Sequence, residues 1–179
     1  MSKTNRKVAV FGTVRVLALC AVLVAMSIVC GKYLAIRGGD ILRFSFENLP
    51  ILMAGILFGP LAGMTVGVAA DLIGCVLVGY AINPLVTVGA ALIGLSGGLC
   101  WRLLGHMPYG VRLALSVGVS HLLGSVIVKT FGLSVFYDMP IGVLMLWRLL
   151  NYLIVGALEF LLLYFILKNK AIRSVSTKR

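Results

Sequence analysis

The feature that most constrains this chain is a succession of apolar stretches punctuated by proline. Residues 8–33, 49–58, 61–78, 85–104, 111–136 and 141–167 carry few charges, and Pro50, Pro60, Pro84, Pro108 and Pro140 all fall at or beside the breaks. Proline has no amide donor and restricts the residue before it, so it ends helices. A bilayer span needs about 20 mostly apolar residues. The expectation is an all-α membrane protein: six transmembrane helices in one compact monomeric bundle over residues 1–179, with a ligand pocket facing outward. Composition supports this, with 61% hydrophobic and 12% charged residues, against about 45–50% and about 25% in soluble domains. The second and third stretches are short and joined by Gly59-Pro60 alone. One kinked span and two shallow helices meeting in a corner are both compatible with that join.

A net charge of +11 would suggest a nucleic-acid partner in a soluble protein, but here most basic residues sit outside the apolar runs, and no nucleic acid is expected. Lys3, Arg6 and Lys7 lie in a tail at 1–7, and Lys168, Lys170, Arg173, Lys178 and Arg179 lie in a tail at 168–179. The positive-inside rule places both basic tails in the cytoplasm, which requires an even number of crossings. The first apolar run lacks a small-residue cleavage site and exceeds a signal-peptide core, so it reads as a retained helix.

No phosphate-binding GxxxxGK[ST] loop occurs, so any ATP-driven step must draw on another protein. Neither HExxH nor GxSxG is present, and only one aspartate is deeply placed, which argues against an intramembrane enzyme. Cys20, Cys30, Cys75 and Cys100 include no CxxC pair and read as small hydrophobes, so neither metal nor cofactor is expected.

Small residues recur every four positions: Gly55, Gly59, Gly63 and Gly67 in one series, Ser116, Ser120 and Gly124 in another. Such stripes let helix backbones approach closely, and internal packing is the simplest reading of both. A third stripe, Ala18, Ala21 and Ala25, could equally face a separate membrane protein.

Ionisable groups within the bilayer cost about 2.5–3.5 kcal/mol each on insertion scales and are functional candidates by default. Arg148, Asn151, Tyr152, Val155 and Glu159 follow the offsets 0, 3, 4, 7 and 11, one face of the last helix. A rise of about 1.5 Å per residue from an outer end near Ile141 sets Arg148 about 10 Å deep. There Arg148 offers a planar donor fork, Asn151 an amide edge, and Tyr152 and Trp147 ring faces. The competing reading is a closed network, with Arg148 paired to Asp71 and Glu159 to Arg102 or Arg15. His121, beside Ser120 and near Ser116 and Ser125, reads as a hydrogen-bonded core histidine. Lys32 and Lys129 fall near outer helix ends, where lysine stems can snorkel to the interface. With Arg37, Arg43 and Arg148 they outnumber Asp40, Glu47 and Asp138 by two on that side, an excess that would attract an acidic small molecule.

The run from Leu42-Arg43-Phe44-Ser45-Phe46-Glu47-Asn48-Leu49-Pro50-Ile51 through Ala54-Gly55-Ile56-Leu57-Phe58-Gly59-Pro60 to Ala70-Asp71-Leu72-Ile73-Gly74 resembles the substrate-binding S components of energy-coupling factor (ECF) vitamin transporters. Among them it is most similar to the folate family, and the likeness extends to the six-helix plan and to Trp147-Arg148-Leu149-Leu150-Asn151. The resemblance implies a protein of bacterial or archaeal cell membranes, without catalytic activity, that binds its vitamin from outside beneath a first loop. It implies partners as well: a transmembrane coupling subunit and two cytoplasmic ATPases. The family's small-residue motif in the first helix matches Ala21-Val22-Leu23-Val24-Ala25. Two positions depart from the folate pattern. Gly31-Lys32-Tyr33 stands where Ser-Arg-Phe is common, which keeps the charge and loses the bidentate fork, and Ile82-Asn83-Pro84-Leu85-Val86-Thr87 stands where Phe-Pro-Gly-Phe-Thr is common.

The expected ligand contacts are Lys32, Arg43, Lys129, Arg148 and Asn151, with Tyr137, Trp147 and Tyr152 as ring neighbours, and Ala18, Ala21 and Ala25 form the expected partner face. An S component for a different vitamin is the first alternative. A small channel that self-assembles through the glycine stripes is the second.

Overall fold

The computed structural model describes residues 14–38, 42–138 and 140–169; the N-terminal tail and all but the start of the C-terminal tail lie outside them. Six helical rods follow the apolar stretches. The first is α1 (Val14–Ile28), continued by a π-helical turn (Val29–Tyr33). Helices α2 (Asn48–Phe58), α3 (Pro60–Val78) and α4 (Pro84–Leu103) come next. The fifth rod runs through α5 (Tyr109–Ser120), a π-helical segment (His121–Val128) and α6 (Lys129–Tyr137), and α7 (Ile141–Lys168) completes the bundle. Five rods are long and apolar enough to cross a membrane. The 11 residues of α2 span only about 16 Å at 1.5 Å per residue, whereas the 19 residues of α3 are enough to cross. The six helices are present, but of the pair joined at the Gly59-Pro60 corner only α2 is short, so the pair is neither one kinked span nor two shallow helices.

That corner is built at Gly59, whose φ of 103° is strained for residues with a Cβ. Pro60 opens α3 at its first turn, where its missing amide costs nothing. Helix α2 is buried along most of its length, with Leu52 and Ala54 fully enclosed. The glycine stripe explains how α2, α3 and α4 pack so closely. A Cβ at Gly55 would meet the carbonyl oxygen of Gly94 at 2.5 Å and the amide nitrogen of Gly98 at 3.1 Å, and one at Gly67 would strike the Ala90 carbonyl. The stripe is internal packing, as expected. Ser116 and Ser120 are likewise fully buried.

Between α1 and α2 the chain forms a two-stranded antiparallel hairpin, β1 (Ile36–Gly38) with β2 (Leu42–Phe44), Arg37 opposite Arg43. It is the one departure from helix among the described elements. Asn83 caps α4, accepting from the amides of Leu85 and Val86 at 3.0 and 3.4 Å, while its own amide donates to the Gly132 carbonyl at 2.8 Å. Asn83 therefore ties the start of α4 to α6.

Candidate functional site

Two polar clusters meet where the end of α1, the start of α2, the fifth rod and α7 converge. The first centres on Lys129, which opens α6 and is 3% exposed. Its stem lies over Gly89 of α4, where a Cβ would meet Lys129 Cγ at 2.5 Å. Its Nζ donates to Glu47 Oε1 at 3.0 Å. The expectation that Lys129 snorkels outward is thus overturned: a buried ammonium needs a counter-ion, and Glu47 supplies one. Glu47 is placed by its backbone, whose carbonyl accepts from Ser27 Oγ at 2.7 Å, and by Gly31, where a Cβ would collide with Glu47 Cβ at 2.8 Å. Lys32, in the π-turn ending the first rod, puts its Nζ 3.7 Å from Cys75 Sγ and 5.3 Å from the centre of the Tyr80 ring. Asp71 accepts from Thr87 Oγ1 at 2.7 Å. Together Ser27, Lys32, Glu47, Asp71 and Lys129 border a cavity of about 20 Å³.

The second cluster gathers on Ser125, inside the π-helical segment. The Lys129 amide bonds to Gly124 rather than Ser125, as the wider π-turn dictates. The Ser125 carbonyl accepts from Arg148 at 3.3 Å and from Thr130 Oγ1 at 3.5 Å. Ser125 Oγ takes the amide of Asn48 at 3.5 Å and lies 3.4 Å from His121 Nδ1. His121 Nε2 is 2.6 Å from Glu159 Oε2, with side chains 5% and 0% exposed. Tyr152 stacks on His121 with ring centres 5.1 Å apart and 26° between planes, and the Arg148 guanidinium lies 5.7 Å from the Tyr152 ring centre. The expected pairs of Arg148 with Asp71 and of Glu159 with Arg102 or Arg15 are therefore replaced. Arg148 uses a backbone carbonyl, and Glu159 uses His121, across a span of sequence that helical spacing does not bridge.

Of the candidate contacts, Lys129, Arg148, Asn151 and Tyr152 fall on the fifth and last rods, the lysine and asparagine buried and the other two half-buried. Lys32 closes the cavity from the α1 side. Trp147 is 42% exposed on α7. The side chains of Arg43 and Tyr137 lie outside what the structure describes. Ala18, Ala21 and Ala25 sit with Val14, Leu17, Val22 and Met26 on the exposed face of α1, so that stripe does not pack inside this chain. Among the described residues, the cavity at these cations measures about 20 Å³, far below the roughly 300–1,000 Å³ of small-molecule sites, so the expected outward-facing pocket is not seen there. The larger depression, about 440 Å³, is an apolar groove along the α5–α7 seam, bordered by Gly118, His121, Leu122, Tyr152, Gly156 and Phe160.

Residues 15–167 match the family described as ECF transporter, substrate-specific component. The chain belongs to that family. It is accordingly a membrane transport component and not an enzyme. This S component is 26% identical over 162 residues to the folate transporter FolT of Clostridium novyi (strain NT), covering 84% of this chain and 87% of that protein. Solved structures share its fold, among them three S-component structures. FolT bound with folic acid gives a TM-score of 0.68 at 23% identity, over 86% of this chain and 93% of the other. The S component for biotin from an ECF-type ABC transporter gives 0.63 at 20%, over 87% and 92%. The S component of a bacterial ECF transporter gives 0.62 at 20%, over 87% and 96%.

Proposed function

We propose that this S component binds folate from the outer side of a bacterial or archaeal cell membrane and delivers it through a coupling subunit and two ATPases. The observation that carries the reading is the pair of cations Lys32 and Lys129 bordering one cavity, with Arg148 of α7 bonded to the Ser125 carbonyl of the same rod as Lys129 and Asn151 and Tyr152 about one turn further along α7. Folate joins a hydrogen-bonding heteroaromatic ring to two carboxylates. Cations suit the acidic end, while an amide and ring faces suit the other. The relationship to FolT supports the same substrate. Lys32, Arg43, Lys129, Arg148 and Asn151 are the proposed contacts, with Tyr137, Trp147 and Tyr152 beside the ring.

Both basic tails would lie in the cytoplasm. The exposed face carrying Ala18, Ala21 and Ala25 would receive the coupling subunit, since small residues permit close helix approach in lipid. Calorimetric titration of the detergent-purified chain with folic acid tests the substrate. Saturable binding of one folate per chain is expected. Heat from biotin or another vitamin instead, with none from folate, would move the substrate within the same class. Ion conductance by a homo-oligomer with no ligand binding would favour a channel.

A further inference from the structure

The cavity around Lys129 is too small for any vitamin, yet it already holds a carboxylate. Lys129 and Glu47 differ in position: the lysine side chain is 4% exposed and the glutamate 22%. The acid therefore reaches inward from the rim toward a fixed, enclosed cation. The other acid on the cavity, Asp71, is engaged by Thr87 of α4 at 2.7 Å, while Lys32 lies opposite with Cys75 and Tyr80 as its neighbours.

We infer that Glu47 is a resident stand-in for the ligand's carboxylate: it neutralises Lys129 while the site is closed, and an incoming anion takes Lys129 from it. This rests on the folate reading above. A buried ammonium without a counter-ion is strongly unfavourable, so the closed state needs an acid at this point. Lys129 cannot keep the same close pairing with Glu47 and with a ligand carboxylate in so small a space. Glu47 follows the β1–β2 hairpin by three residues and precedes α2. Its exchange for ligand thus changes a restraint on the first loop as well as a charge. Binding of a carboxylated ligand runs against an internal competitor, and removing that competitor's charge strengthens binding. An ordinary ligand contact would show the opposite sign.

The test compares folic acid with 6-methylpterin, which lacks the carboxylates, on the full chain in detergent. Glu47→Gln is expected to tighten folic acid about tenfold, or about 1.4 kcal/mol, and to leave 6-methylpterin unchanged. Lys129→Gln is expected to weaken folic acid, and adding Glu47→Gln to that variant should change nothing further. If Glu47→Gln does not purify as a folded protein, Ser27→Ala, which removes the hydroxyl donated to the Glu47 carbonyl, should tighten folic acid about threefold. Folic acid bound equally or more weakly by Glu47→Gln, or by Ser27→Ala in its place, overturns the inference while leaving the folate reading intact. Wild-type protein that binds no folic acid removes both.

Discussion

Replacing Gly94 with alanine tests whether backbone packing between α3 and α4 holds the bundle together. A Cβ at Gly94 would strike the carbonyl of Gly63 and sit 2.8 Å from the Gly63 α-carbon, where ordinary van der Waals separation begins at 3.4 Å. All three nearest atoms are backbone, so no side chain can turn aside and the helices must separate. Relieving the clash with that α-carbon takes a shift of 3.4 less 2.8, or 0.6 Å, and the carbonyl demands more. A radial gap of about 0.5–1 Å forfeits a quarter to a half of each dispersion interaction along the seam, and overpacking typically costs about 1–3 kcal/mol. With no flexible partner, the upper end applies, near 3 kcal/mol. For a chain of this length that is a fall in Tm of about 6–12 °C. Thermal unfolding in detergent with a thiol-reactive dye suits the measurement in a Cys30→Ser, Cys100→Ser background, because those two thiols are partly exposed whereas Cys20 and Cys75 are 4% and 7% exposed and react only once the bundle opens. Gly118→Ala is the control, since a Cβ there meets nothing within 4 Å. Equal Tm values for the two variants would refute the packing argument.

His121→Ala should destabilise by about 3–5 kcal/mol by leaving Glu159 buried without its partner, whereas His121→Leu with Glu159→Leu should cost less; the same dye assay ranks them, and the reverse order would contradict the pairing. Gly59→Ala should cost at least about 1 kcal/mol in that assay from its positive φ, with little added by the Arg102 guanidinium, the far end of a flexible exposed side chain that can swing aside. Ala21→Leu lies on an exposed face and should leave Tm and folate affinity unchanged while abolishing co-purification with the coupling subunit. In a Trp101→Phe background, folate should quench Trp147 fluorescence if Trp147 borders the ring; an unchanged signal counts against that placement.

The rods were legible because apolar runs and proline act locally, and each boundary among the described residues lies within a few positions of its expected place. The length of α2 was legible too, since Pro50 and Gly59-Pro60 bracket it. The hairpin was not: strands of three residues in a mixed loop leave no alternation to read. The π-helical segment escaped for a similar reason, as eight residues do not distinguish its wider turn from an α-helix. Among the polar groups, one-face spacing placed Arg148, Asn151, Tyr152 and Glu159 together on α7. What it could not supply was the partner across space. Lys129 meets Glu47 from 82 residues away and His121 meets Glu159 from 38. Opposite charge made both pairs admissible without choosing them over the pairs with Asp71, Arg102 or Arg15. Helical spacing likewise identified the alanine stripe but not whether it faced inward.

The most direct test of the vitamin-binding account is to denature the freshly purified chain and identify by mass spectrometry what it releases. Folate recovered at close to one molecule per chain, and lost from Lys129→Gln, is the predicted result. Preparations that repeatedly release no vitamin, from a chain that also fails to bind one when supplied, would contradict it.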